Sequence, residues 1–141
     1  MNLETFYSFI KPEALTCPEP IVYQALIAAA DEFCEGSLAW RSNVSVVLLD
    51  GVSDYEPSKP SDSYIISFRN VFRGSTPLTA VSQTVGSEDG APWCYSSPEF
   101  GVLTVYPTPI DAETLVVDVI YGPDPAATTL PDFMRRYVSV I

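Results

Sequence analysis

The side chains able to do chemistry in this chain are its carboxylates, two arginines on one predicted strand, and three cysteines; histidine does not occur. Asp50 with Asp54, and Glu88 with Asp89, could share general acid and base work. Both pairs fall in turn sequences, where acids are recruited for local hydrogen bonding, and turn chemistry is the favoured reading. Glu88-Asp89-Gly90 lacks the ligand spacing of an EF-hand. Arg69 and Arg73 stand four residues apart on one face of a predicted strand. They could clamp a phosphate or a carboxylate; a solvated face meeting local acids is the commoner use, and a salt bridge to a neighbouring subunit comes next. Trp40 and Trp93 read as core or interface anchors before sugar platforms. Cys17, Cys34 and Cys94 are odd in number and widely spaced, with no CxxC, which disfavours zinc sites and disulfide frameworks. They read as small buried hydrophobes of a reducing compartment. The commonest general base is missing, as are GxSxG, a phosphate-binding glycine loop and HExxH. The expectation is a non-enzyme with no catalytic residue, no cofactor and no metal.

The elements that must position these residues are one helix and a β-rich body. Pro18, Glu19 and Pro20 mark a helix start. Val22, Leu26, Ala29 and Phe33 recur at helical spacing, widened by Ile21, Ala25 and Ala28, and Gly36 is the expected stop. Trp40 just beyond is expected to be buried and to pin the helix to the β-body. Residues 43–50 alternate as a strand, with Val44, Val46 and Leu48 on one face and Val47 and Leu49 on the other. Asp50-Gly51 is a turn leading to a second strand, Val52–Tyr55. The longest alternation puts Tyr64, Ile66, Phe68 and Phe72 on one face, and Ser67, Arg69, Val71 and Arg73 on the other. Residues 78–81 read as a short strand and 82–99 as turn-rich. Val102–Tyr106 and the alternating Leu115, Val117, Val119 and Tyr121 are the last strands. Leu130-Pro131-Asp132 opens a second helical stretch with Phe133, Tyr137 and Val138 apolar and Arg135-Arg136 polar. The residues before Pro18, rich in aromatics, read as an irregular arm.

The fold class is therefore α+β: an N-terminal amphipathic helix on a small antiparallel β-sheet or sandwich unit, with a short C-terminal helix. A single domain spans residues 1–141: arm 1–17, helix 18–36, β-body 43–121 and C-terminal helix 131–141. With 18 acidic and 7 basic residues the net charge is −11. That opposes wrapping of nucleic acid, which needs Lys and Arg to displace counterions, and docking on an anionic membrane. The first residues lack a basic segment followed by an apolar one, so no secretory leader is expected. No apolar run reaches the length of a membrane span.

Several segments in a fixed order resemble the head-to-tail adaptor (connector) proteins of tailed bacteriophages. They are the helix residues Ala25 to Glu35 and the Trp40-Arg41 pair, then Leu49-Asp50-Gly51-Val52-Ser53-Asp54-Tyr55 and Thr76-Pro77-Leu78-Thr79-Ala80-Val81. Phe100 to Pro109 follows as a late strand with a proline exit, and Leu130-Pro131-Asp132-Phe133 comes last. The resemblance spans roughly residues 18–135 and rests on order and spacing. The family's last helix continues through an alanine-rich stretch, whereas this sequence stops at Ile141. The resemblance implies a structural virion protein at the head–tail junction, made in the host bacterial cytoplasm. It would form a homo-oligomeric ring, a dodecamer, that binds the portal protein and tail or neck proteins. DNA would pass through the lumen without sequence-specific binding. Another neck or tail protein, a tail terminator or tail completion protein, is the nearest alternative; a stand-alone β-rich binding module is the more distant one. A ring needs two different patches on each subunit. The candidate interface residues are Phe6, Tyr7, Phe9, Arg69, Arg73, Trp93, Phe133, Arg135, Arg136 and Tyr137.

Overall fold

The structure, a computed structural model, describes residues 2–5, 18–83 and 86–134. It is a mixed α+β chain with two mostly antiparallel sheets. It divides into two compact units, one of Met1–Ala39, Pro60–Tyr64 and Gly122–Ile141, the other of Trp40–Lys59 and Ile65–Tyr121.

The first unit holds the long helix α1, Glu19–Ser37. Pro18 stands at its N-cap and Glu19 in its first turn, where a carboxylate suits the dipole. The buried side chains are Val22, Leu26, Ala30 and Cys34. This differs from the expected stripe, because burial follows a strict i, i+4 row, the ridge along which helices pack. Ala29 and Phe33 are only half-buried, Ala25 and Ala28 are exposed, and Ile21 is 54% exposed. The stop also differs. The helix runs through Gly36, and Leu38 takes the left-handed position at φ 56° with its N–H on Cys34 O at 3.0 Å. Ser37 Oγ donates to Phe33 O at 2.7 Å and accepts from Ala39 N at 3.2 Å, which holds the last turn beyond the glycine.

Near the N-terminus the expected irregular arm is in part ordered. Residues 3–5 are helical, and Asn2 Oδ1 accepts from Thr5 N at 3.0 Å as a cap. Asn2 bridges Thr129, and Leu3 N donates to Thr128 O at 3.1 Å. The remaining arm residues, Phe6, Tyr7 and Phe9 among them, lie outside the described residues. At the other end a 3₁₀ turn, Asp132–Met134, occupies the start of the expected C-terminal helix. Arg135, Arg136 and Tyr137 also lie outside the described residues.

Asp62 ties this unit's loops together. It sits at φ 58°, a backbone state that Asp tolerates better than most side chains. Its carbonyl accepts from Asp124 N at 3.0 Å. Its carboxylate accepts from Thr129 Oγ1 at 2.6 Å and Thr128 Oγ1 at 3.3 Å. These bonds, the Thr129 hydroxyl first, hold its pKa below the ordinary 3.8. A depressed carboxylate lends stability above its unfolded pKa, and that stability is lost as the pH falls through the folded value. The Asp62→Asn variant should therefore unfold at lower urea than the parent at pH 6, and the gap should close towards pH 2. A gap that stays constant across that range would show that the carboxylate charge has no part in the clasp.

The second unit holds most of eight strands: β1 Arg41–Val47, β2 Asp54–Tyr55, β3 Ser63–Arg73, β4 Thr76–Pro77, β5 Thr79–Ala80, β6 Cys94–Ser96, β7 Leu103–Tyr106 and β8 Thr114–Pro123. They form sheets ordered β1-β8-β3-β4 and β2-β7-β6-β5. The β1–β8 register runs from Arg41 opposite Ile120 to Val47 opposite Thr114. Both sheets feed one apolar core. It takes Val46, Leu48, Tyr55, Ile65, Phe68, Val71, Leu78, Tyr95, Leu103, Val105, Leu115, Val117, Val119 and Tyr121, with Trp40 and Val44 half-buried at its margin. Trp40 is thus less buried than its sequence position implies. Its ring tilts against Tyr121 with centroids 5.8 Å apart.

Two features of the sheets depart from the period-two reading. In β3 the core residues are Ile65, Phe68 and Val71, a spacing of three that changes parity twice. Phe72, expected beside Phe68, is exposed, and Val71, expected opposite, is core. The stretch 82–99 contains β6, a strand of three residues whose side chains are all buried.

Candidate functional site

Of the carboxylate pairs, Asp50 sits in a turn, Asp54 in β2, and Glu88 and Asp89 in a loop that bridges to Thr108. Asp54 Oδ1 accepts from Thr104 Oγ1 at 2.6 Å across the β2–β7 pair. The Asp50-Gly51 turn is held by Gly51 N donating to Pro109 O at 2.9 Å, with Gly51 at φ 78°. Tyr55 Oη closes the same loop from inside, donating to Val52 O at 2.5 Å and accepting from Leu49 N at 3.0 Å. Glu88 O accepts from Thr108 N at 3.0 Å, and Asp89 forms an isolated parallel bridge with Thr108. An open cleft lined by Asp54, Glu56, Pro98, Glu99 and Val102 gathers three carboxylates, one of which already serves Thr104. Among the described residues no group of three or more His, Cys, Asp or Glu side chains is placed to hold a metal ion.

The thiols are set for burial. Cys34 and Cys94 are free and buried. Desolvation, reinforced by the charges of Asp31 and Glu35, pushes Cys34 up to about 12. Burial raises Cys94 as well. Thiols kept so far from their thiolates are poor nucleophiles. Beside Cys34, Tyr64 Oη donates to Asp31 Oδ1 at 2.5 Å, and burial followed by this bond raises the phenol's pKa.

The two arginines meet different groups. Arg73 Nη1 lies 3.6 Å from Glu113 Oε2. That oxygen is itself buried and has no hydrogen-bond partner among the described residues, so Arg73 supplies its countercharge. A pair this exposed contributes only about 0–1 kcal/mol. Arg69 is exposed, and its charge reaches the buried Tyr95, whose pKa burial nevertheless raises. The structure therefore gives Arg73 an acid of its own chain to meet, as the commoner reading of the sequence has it.

What the second unit offers outward is apolar. Trp93 is 57% exposed, its ring edge-on to Tyr106 with centroids 6.5 Å apart. Its backbone is fixed on both sides, N–H to Tyr106 O at 3.0 Å and C=O from Thr79 N at 2.9 Å. Val47, Leu49, Phe72, Ile110 and Val116 are also exposed. Val47 and Leu49 were legible as one face of the first strand, and Val116 as the residue opposite the Leu115, Val117 and Val119 row; Phe72 and Ile110 carry no local signal that separates them from core residues. In the first unit, Phe133 is 41% exposed on the 3₁₀ turn. Among the described residues, then, the candidate interface residues Arg69, Trp93 and Phe133 lie at the surface, with Arg73 half-buried. No helix of the described residues is long and apolar enough to cross a membrane. No protein-family model and no curated protein sequence matches this chain.

Proposed function

We propose that this chain is a structural virion protein of a tailed bacteriophage, a head-to-tail adaptor. It forms a ring beneath the portal, extends the DNA channel and gives the tail a docking platform. The observation that carries this reading is the order of the adaptor-like segments along successive elements. Ala25–Glu35 lies in α1, Trp40-Arg41 enters β1, Phe100–Pro109 spans β7 and its proline exit, and Leu130–Phe133 leads into the 3₁₀ turn. In this reading the segment that opens at Leu130 is the one that meets the portal. The exposed Trp93 and Phe133 serve as contacts between neighbours in the ring. A chain of net charge −11 repeated around a ring makes an acidic tube, from whose wall DNA is repelled.

The deciding experiment mixes the purified chain with purified portal and images the particles by electron microscopy. A twelve-fold ring stacked on the portal, with a negative lumen, is the expected result. A chain that stays monomeric with and without portal, or a ring with a basic lumen, counts against the assignment.

A further inference from the structure

β1 is the end strand of its sheet, bonded to β8 on one side. In an antiparallel ladder a residue turns its N–H and C=O to the same side, and the side alternates. Trp40 O accepts from Tyr121 N at 2.8 Å, and Leu48 N donates to Glu113 O at 2.7 Å, so the even-numbered residues face β8. Arg41, Asn43, Ser45 and Val47 therefore turn their backbone groups outward, and all four side chains are exposed. No hydrogen bond to these outward groups is present among the described residues. Strand edges of this kind are templates for another strand, and proteins blunt them with Lys, Pro, bulges or extreme shortness. Of such devices β1, Arg-Ser-Asn-Val-Ser-Val-Val, has one charge, Arg41 at its first residue, and no proline. The other end strands, β4, β2 and β5, are two residues each. β1 is a long edge with no described strand on its outer side; on the far side of the same sheet β4 pairs with only the last two residues of β3.

We infer that β1 pairs antiparallel with β1 of a second copy of this chain, about a twofold axis through Val44. This is a contact of the free chain, separate from the head-to-tail contacts of the adaptor ring, and it does not rest on the adaptor reading. The edge is self-complementary in one register: Arg41 opposite Val47, and Asn43 opposite Ser45. Every outward N–H and C=O then finds a partner, whereas a shift of two residues strands some of them. Val44 meets its own copy in a non-hydrogen-bonded pair, where Cα atoms approach to about 4.5 Å, and this covers the half-buried margin of the core. The strand's single charge faces a valine. The two Arg41 side chains end up about 20 Å apart at roughly 3.4 Å per residue, beyond a Debye length of about 10 Å. A twofold contact also closes on itself and leaves no open edge to propagate.

The test uses the full chain in the Cys17→Ser background, at about 0.15 M salt to screen the net charge. Four proteins are compared by analytical ultracentrifugation over a concentration series: this parent, Ser45→Pro, Ser45→Lys and Val44→Cys. Ser45→Pro deletes an outward N–H and leaves the β8 ladder intact, as proline on an open edge does. The expected results are a parent of twice the mass of Ser45→Pro, a parent melting temperature that rises with protein concentration while that of Ser45→Pro does not, and a reductant-sensitive Val44→Cys dimer under mild oxidation. Ser45→Lys, which puts a charge on the same face, should also halve the mass and guards against a proline that disturbs the fold. A parent that is monomeric at every concentration overturns the inference. So does an oligomer of any size whose mass neither substitution changes, or one in which Val44→Cys fails to cross-link.

Discussion

Replacing Tyr121 by alanine is expected to cost about 3–5 kcal/mol, against a total stability of about 5–15 kcal/mol for a domain of this kind. Tyr121 is 1% exposed and sits in the buried second half of β8, a strand flanked by β1 on one side and β3 on the other. Its ring supports Trp40, and its hydroxyl lies 2.9 Å from Ser42 Oγ on β1. Alanine leaves a ring-sized void, deprives Trp40 of its support and strands the Ser42 hydroxyl. Phenylalanine keeps the ring and loses only the hydroxyl contact, so it should cost about 0.5–1.5 kcal/mol. Trp40→Ala should fall below Tyr121→Ala, because Trp40 is half-buried and has less burial to lose. Urea midpoints for the three variants check the order. A Trp40→Ala cost equal to or above that of Tyr121→Ala would show that the tryptophan, not the tyrosine, is the keystone.

The second large effect is expected at Leu103. It is fully buried in β7, the strand that pairs with both β2 and β6. Leu103→Ala removes a branched side chain from the point where the second sheet meets the shared core. A cost of about 2–5 kcal/mol follows, the spread depending on how far Tyr55 and Tyr95 can close the gap. Leu115→Ala on β8, also fully buried, should fall in the same range if the sheets share one core. Equal shifts of one cooperative urea transition are the expected result. Two separate transitions, each moved by only one of the substitutions, would show that each sheet has a core of its own.

The sequence made some parts of this arrangement plain and hid others, for identifiable reasons. Strands β1 and β8 were legible because each has one face in the core, so Val46 and Leu48, or Leu115, Val117 and Val119, alternate with exposed residues. β3 alternates just as cleanly in sequence, yet burial jumps from Ile65 to Phe68 to Val71. Period two reports side-chain direction on a regular strand and says nothing of where a strand changes the face it buries. β6 is three residues long and flanked by prolines, too short for any periodicity. The helix was visible, but its stop was placed at the glycine, whereas Ser37 and a left-handed Leu38 carried it further. For the candidate site, composition led to the expectation of no catalytic residue; in the structure Asp54 is bonded to Thr104 and the described thiols are buried. The open edge of β1 was beyond reach, because an edge is defined by which strands fail to arrive, and strand order is not written locally.

The division into two units cuts the chain into alternating pieces, and this imposes a timetable. α1 belongs to a unit whose remaining pieces are Pro60–Tyr64 and Gly122–Ile141, and β1 waits for β8, more than sixty residues downstream. During synthesis at roughly 5–20 residues per second, the newly made helix is without its own unit's last segment for several seconds. A helix in a protein takes most of its stability from the packing of its apolar face. The nascent protein therefore exposes Val22, Leu26 and an incomplete strand edge together until its final third emerges. In a cell, that interval is when a chaperone or a second nascent copy has its opportunity.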